Sequence, residues 1–82
     1  MAEYFAYVLR SLRDSQLYTG HTEDLEKRLL AHNSGKVKST RSRKPFELIY
    51  HESCTSRAQA RWRERQLKNA WNKKQLKKKL DL

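Results

Sequence analysis

Glu64 stands in a helical stripe, Ala60, Glu64, Leu67 and Trp71, at a position where the spacing asks for an apolar residue. At roughly 100° per residue those four positions share one helix face. An ionised carboxylate among apolar groups forfeits hydration worth on the order of several kcal/mol, so it normally serves a cation, a metal or a specific reaction. Arg28 and His32 form a second pair, one helical turn apart, beside the stripe that Leu25 and Leu29 define. A guanidinium offers phosphoryl oxygens a planar fork of donors that lysine cannot reproduce. An imidazole is the side chain whose ordinary pKa suits proton transfer near neutrality. Carboxylate, guanidinium and imidazole together suit chemistry at a phosphate. Each also has a plain structural reading: Glu64 as partner of a buried arginine, Arg28 pairing with Asp24 four positions earlier, His32 as a satisfied helix histidine.

The composition points the same way. The 82 residues make one small domain, 1–82, near the size where a single core only just suffices. A formal charge of +10, from 19 Lys and Arg against 9 Asp and Glu, attracts polyanions, above all nucleic acid. The charge is concentrated: Lys36 to Lys44 holds five basic residues and no acid, and Arg57 to Lys79 holds ten with Glu64 as its only acid. Lys36, Lys38, Arg41, Arg43 and Lys44 are therefore candidate phosphate contacts, which position a nucleic acid without reading its bases. Their plain reading is a solvated face that keeps the chain soluble. The single cysteine, Cys54, excludes an internal disulfide, and no Cys/His cluster has zinc spacing. Neither a secretory leader nor a run of about 18 apolar residues is present, so the expectation is a cytoplasmic protein without a membrane span.

The elements that must position these residues follow in order. Tyr4 to Leu9 is β-branched and aromatic with apolar groups on both alternating faces, which predicts a central strand covered on both sides. Arg13-Asp14-Ser15 supplies a turn and Leu17 to Thr22 a shorter strand, giving a hairpin. A turn centred at Leu12 and Arg13 places Tyr7 opposite Tyr18; one centred at Asp14 offsets them by about one residue pair. Thr22 followed by Glu23 and Asp24 reads as a helix start, with Asn33-Ser34-Gly35 as its stop. Lys36 to Lys44 reads as a mobile polar loop, and Phe46 to Glu52 as a third strand of mixed facing. Ser56 with Gln59 is a capping-box pattern opening the Glu64 helix, and Asn72 with Gln75 repeats it before a short last helix through Leu80. Cys54 is expected as a small buried residue at a strand end, and Trp71 as core. Trp62 faces elsewhere and is a candidate for base stacking. The order is ββαβαα, an α+β domain.

In this order the residues resemble the GIY-YIG nuclease family, particularly its small stand-alone bacterial members. Phe5-Ala6-Tyr7 looks like the first signature strand, keeping its tyrosine, and Tyr18-Thr19-Gly20 like the second, keeping tyrosine and glycine. Arg28, His32 and Glu64 match the arginine and histidine of the following helix and the glutamate of the later one. The resemblance covers essentially the whole chain. It implies a three-stranded antiparallel sheet flanked by helices and hydrolysis of a nucleic-acid phosphodiester with one divalent metal on Glu64; DNA is expected ahead of RNA, and the metal is expected to be a hard, oxygen-preferring ion, magnesium or manganese. By the same resemblance Tyr7 is the general base or orients the water, with Tyr18 beside it, while His32 could share or take over that role. Gly20, lacking a side chain, lets the backbone approach the site. Many catalytic members carry an asparagine further along; here Asn69 and Asn72 lie close to Glu64 and no clear equivalent follows. That departure motivates the alternative, a nucleic-acid-binding module that keeps the fold with little or no turnover. A third reading is an adaptor whose basic helix docks an acidic protein.

Overall fold

Strand β1 (Tyr4–Ser11) is the axis of the molecule, with β2 (Leu17–Thr22) on one side and β3 (Phe46–Cys54) on the other. Both pairings are antiparallel. The computed structural model describes residues 3–80, apart from the side chains of residues 70–73. The expected core position of the Trp71 side chain therefore lies outside the described residues.

The alternation of β1 divides the core in two. Ala6 and Val8 point to one face, where they meet Leu17, Cys54 and the inner residues Ala60, Leu67 and Leu76 of α2 (Arg57–Lys68) and α3 (Ala70–Lys79). Tyr7 and Leu9 point to the other, against Phe46 and the partly buried Leu25 and Leu29 of α1 (Leu25–Asn33). A central strand thus buries side chains on both faces, as its unbroken apolar sequence requires. The mixed facing expected of β3 has a definite cause. Val8 pairs with Tyr50 but Leu9 with Leu48, so Ile49 is an extra residue, a bulge. A bulge shifts the period-two alternation by one. Phe46 and Leu48 consequently face α1, while Tyr50 and Cys54 face α2 and α3.

The hairpin register is the offset one: Tyr7 pairs with Gly20, and Tyr18 with Leu9. Three local expectations are corrected. Helix α1 is capped by Asp24, whose side chain accepts from the Lys27 N–H at 3.0 Å, while Thr22 supports the cap by accepting from the Asp24 N–H at 3.1 Å. A carboxylate beside the helix N-terminus is the stronger acceptor there, so it displaces the hydroxyl. Helix α3 begins at Ala70, before Asn72. Lys36 to Lys44 is not a free loop: it contains a 3₁₀ turn at Arg41–Arg43, and Thr40 is fully buried. The Ser56 cap forms as expected, accepting from the Gln59 N–H at 3.1 Å, although Gln59 reaches back to the Thr55 N–H rather than to Ser56.

Candidate active site

The register decides where the phenol of Tyr7 goes. Tyr7 and its partner Gly20 share a sheet face, and the tyrosine ring lies across the glycine; a Cβ there would meet the hydroxyl at 2.5 Å and Cζ at 2.7 Å. Heavy atoms do not approach that closely, so only glycine lets the ring reach over the edge strand. The backbone approach expected of Gly20 is in fact the approach of Tyr7.

Beyond Gly20 the Tyr7 hydroxyl meets α1. Nε2 of His32 lies 3.1 Å away, and Nε–H of Arg28 donates to the same oxygen at 3.4 Å. His32 is fully buried, its ring edge-on to Tyr18 at 5.0 Å between centroids and to Phe46 at 5.8 Å. Its second nitrogen, Nδ1, lies 2.8 Å from Oγ1 of Thr40, and that hydroxyl donates to the Val37 carbonyl at 3.4 Å. The partners assign the tautomer. With its proton given to Val37, Thr40 accepts from His32 Nδ1–H, which leaves Nε2 to accept the Tyr7 proton. A chain of hydrogen bonds thus runs Tyr7, His32, Thr40, Val37, with Arg28 at its head.

Burial lowers the His32 pKa to about 4, and the nearby Arg28 charge pushes in the same direction, so the imidazole is neutral at pH 7. Burial raises the Tyr7 pKa above its ordinary value; the Arg28 hydrogen bond works against this, and the charges of Tyr18 and Glu64 add to it. Tyr7 is consequently a neutral phenol near pH 7, hydrogen-bonded to Nε2 of His32. The Arg28 pKa is raised, chiefly by its hydrogen bond to Tyr7. Arg28 therefore does not pair with the Asp24 carboxylate, which caps the helix instead.

Glu64 arrives from the opposite face. Helix α2 packs on β2, where His21, one residue past Gly20, points to the α2 side. Nδ1–H of His21 donates to Oε1 of Glu64 at 2.7 Å, and the Lys68 ammonium lies 3.0 Å from Oε2. Burial pushes the Glu64 pKa up, but the bonds from His21 and Lys68 outweigh it and hold the group below the usual carboxylate range. The carboxylate, its side chain 16% exposed, is therefore ionised and held in position. The structural partner anticipated for Glu64 is not an arginine. That kind of pair belongs to Glu52, bonded to Arg63 and, at 2.8 Å, to the Tyr50 hydroxyl.

A cleft of about 170 Å³ is lined by Tyr4, His21, Thr22, Glu23, Arg28 and Arg57, so that His21, the partner of Glu64, and Arg28, the partner of Tyr7, share its wall. A hollow of about 630 Å³ beside it is lined by Glu3, Glu23 and Asp24 with Lys27 and Arg28, and three carboxylates make it a poor seat for a polyanion. Among the described residues no three His, Cys, Asp or Glu side chains group to hold a metal. A magnesium-like ion commonly takes one or two carboxylates and fills its other positions with water and substrate phosphate; Glu64 offers one carboxylate, and His21 and Lys68 already contact its two oxygens.

Tyr7, Tyr18, Gly20, Arg28 and His32 are thus brought together on one face of the sheet, and Glu64 reaches the same edge from the other. The basic segment divides. Lys36, Lys38, Arg41 and Lys44 are exposed, whereas Arg43 is committed to Asp14 at 3.1 Å and lies over the Phe46 ring at 5.6 Å. His21, Thr40, Arg57 and Lys68 escaped the sequence reading. Strand alternation puts His21 on the face opposite Gly20, but nothing local indicates which helix covers it. Thr40 lies in a polar stretch without periodicity and has no signal at all.

The fold is of nuclease type, as the family whose model the chain matches shows. The GIY-YIG catalytic domain matches residues 3–79, and the chain belongs to that family. It is similar to a UPF0213 protein of Bacillus pumilus, 46% identical over 72 residues that cover 87% of this chain and 71% of that one. It is 37% identical over 78 residues to a UPF0213 protein of Staphylococcus haemolyticus, covering 94% of each. A UPF0213 protein of Bacillus halodurans solved by NMR in solution has 35% identity and a TM-score of 0.54, covering 90% of this chain and 81% of that chain. No helix among the described residues is long and apolar enough to cross a membrane.

Proposed function

We propose that the protein is an endonuclease that hydrolyses phosphodiester bonds in DNA with a divalent metal, magnesium or manganese, held by Glu64. The observation that carries this reading is the single phenolic oxygen of Tyr7 meeting Nε2 of His32 and Nε of Arg28 at once. A phenol bonded to a neutral buried imidazole is an arrangement for moving a proton. As the attacking water gives its proton to the Tyr7 oxygen, Tyr7 gives its own to His32 Nε2, and Nδ1–H stays on Thr40. The phenol is regenerated and the hydroxide adds to phosphorus as the bond from phosphorus to the departing oxygen breaks; that oxygen takes a proton from solvent water, and the imidazolium returns its own proton to solvent. Tyr7 need never exist as a free phenolate, which its burial disfavours.

Arg28 has a second task. Its guanidinium lines the cleft, so it can offer its remaining N–H groups to phosphoryl oxygens where negative charge builds. A phosphate seated there also offsets the positive charge that helps depress the His32 pKa, making the imidazole a better proton acceptor when substrate is present. A metal bound at Glu64 would supply charge to the phosphoryl and departing oxygens. Glu64 is suited to hold it because its carboxylate is ionised and His21 fixes one of its oxygens. Arg57 adds positive charge at the cleft wall, and Lys36, Lys38, Arg41 and Lys44 supply phosphate contacts outside it.

The alternative is a binding module without turnover. One observation favours it: Lys68 already occupies the carboxylate oxygen that a metal would use. Cleavage of labelled DNA by purified wild-type and Glu64→Ala protein, in magnesium or manganese against chelator, separates the two. The nuclease reading expects metal-dependent cleavage that Glu64→Ala abolishes while affinity stays. Binding alone, shared by both proteins, would leave the module.

A further inference from the structure

Helix α2 has two functional faces. Ala60 and Leu67 turn inward and Glu64 faces the site, but Trp62 points out and is 56% exposed. It lines a shallow hollow of about 350 Å³ with Ala58, Arg61 and Arg65. The Arg63 guanidinium, paired with Glu52, lies 5.8 Å from the centre of the Trp62 ring. Arg61 and Arg65 are exposed and have no carboxylate partner among the described residues. They stand one turn apart, about 6 Å along the axis. Arg57, one further turn back, lines the cleft that holds Arg28. A row of guanidiniums therefore leads out of the cleft along α2, with an indole set among them.

We propose that this face is a base-stacking subsite: a polynucleotide leaving the cleft past Arg57 places one unpaired base on Trp62, with its phosphates on Arg61 and Arg65. A flat π surface bordered by cations complements a base and its flanking phosphates, and it accepts any base because each has a π face. Duplex bases are already stacked and cannot use it, so the subsite selects single-stranded stretches. The same cations repel a basic partner, and an acidic peptide would leave the indole without a flat ring to cover it. The subsite deepens the nuclease reading, but its binding does not depend on turnover.

The test measures affinity of the full chain for a labelled oligothymidylate in chelator, by anisotropy at fixed salt, with an abasic strand of equal length and a duplex as controls. Trp62→Ala should weaken oligothymidylate binding about tenfold, Trp62→Phe should retain most of the affinity, and neither should alter binding of the abasic strand or the duplex. Indole fluorescence should be quenched by oligothymidylate in wild type and much less so in Trp62→Ala. Equal affinity of wild type and Trp62→Ala for oligothymidylate overturns the proposal, as does an equal loss on the abasic strand, or no binding to any strand. Cleavage in magnesium is scored separately. Cleavage with Trp62-independent binding removes the subsite and keeps the nuclease; Trp62-dependent binding without cleavage does the reverse.

Discussion

Thr40 Oγ1 lies 2.8 Å from Nδ1 of His32, so a residue of the basic segment between α1 and β3 sets the tautomer of the histidine that faces Tyr7. The segment is therefore not merely a charged fringe. Its buried hydroxyl holds the acceptor nitrogen of His32 toward the site, while Lys36, Lys38, Arg41 and Lys44 around it face solvent.

Removing that hydroxyl at constant shape should lower turnover without unfolding the protein. Thr40→Val leaves Nδ1–H buried without a partner, a loss of about 1–3 kcal/mol that the protein can relieve by switching to the unproductive tautomer. We expect a decrease in kcat of about tenfold or more, little change in KM, and recovery in Thr40→Ser. Unchanged kcat in Thr40→Val would remove Thr40 from the account.

The depressed pKa of His32 has a stability consequence of definite sign. The unfolded chain takes up this proton near 6.5 and the folded one only near 4. Between those values the unfolded state binds more protons, so stability falls as pH drops from 6.5 through 4 and is unaffected by this group above 6.5. The full effect is roughly 3 kcal/mol. Urea unfolding across this range should show it and lose most of it in His32→Gln. Nitrogen chemical shifts of the ring should report Nδ1–H at neutral pH and titration near 4; titration near 6.5 contradicts the burial argument.

Gly20→Ala should be costly although it adds one methyl group. The new Cβ would fall 2.5 Å from the Tyr7 hydroxyl, so either the ring or the edge strand has to move. Overpacking of this kind costs about 1–3 kcal/mol, and moving the phenol breaks its bonds to His32 and Arg28. Activity should fall further than stability accounts for. A variant with wild-type activity and melting temperature would show that Tyr7 does not need this position.

Much of this was legible in the sequence, for physical reasons. The apolar character of Tyr4 to Leu9 on both faces required a central strand, and Ser56 with Gln59 required a helix start. Arg28 and His32 shared a face because helical periodicity leaves no alternative. What stayed hidden depends on contacts distant in sequence. The pairing of His21 with Glu64 spans 43 positions, and Thr40 is buried by a turn with no apolar pattern. The bulge at Ile49 reverses the facing of β3 part-way, which alternation cannot locate without the partner strand. Asp24 outcompeted Thr22 as the cap within a stretch where both were chemically suitable.

Lys68 makes an opposing prediction. Its ammonium sits 3.0 Å from the Glu64 oxygen that a dication would share, on a side chain 53% exposed. Lys68→Met should therefore tighten manganese binding a few-fold, the scale of an exposed charge pair, and raise the Glu64 pKa. Manganese titration followed by electron paramagnetic resonance measures the first. Weaker binding in Lys68→Met would mean that the lysine aids the site rather than competes in it.

The most direct measurement is single-turnover cleavage of labelled DNA in magnesium by wild type, Tyr7→Phe and His32→Gln, each first shown to be folded and to bind the same DNA. The account predicts that both substitutions reduce cleavage by a factor of about 100 or more, since both interrupt one path for the proton, and that the double variant is hardly worse than either single one. Full cleavage by Tyr7→Phe would contradict it, because no hydroxyl would then remain to pass the proton to His32.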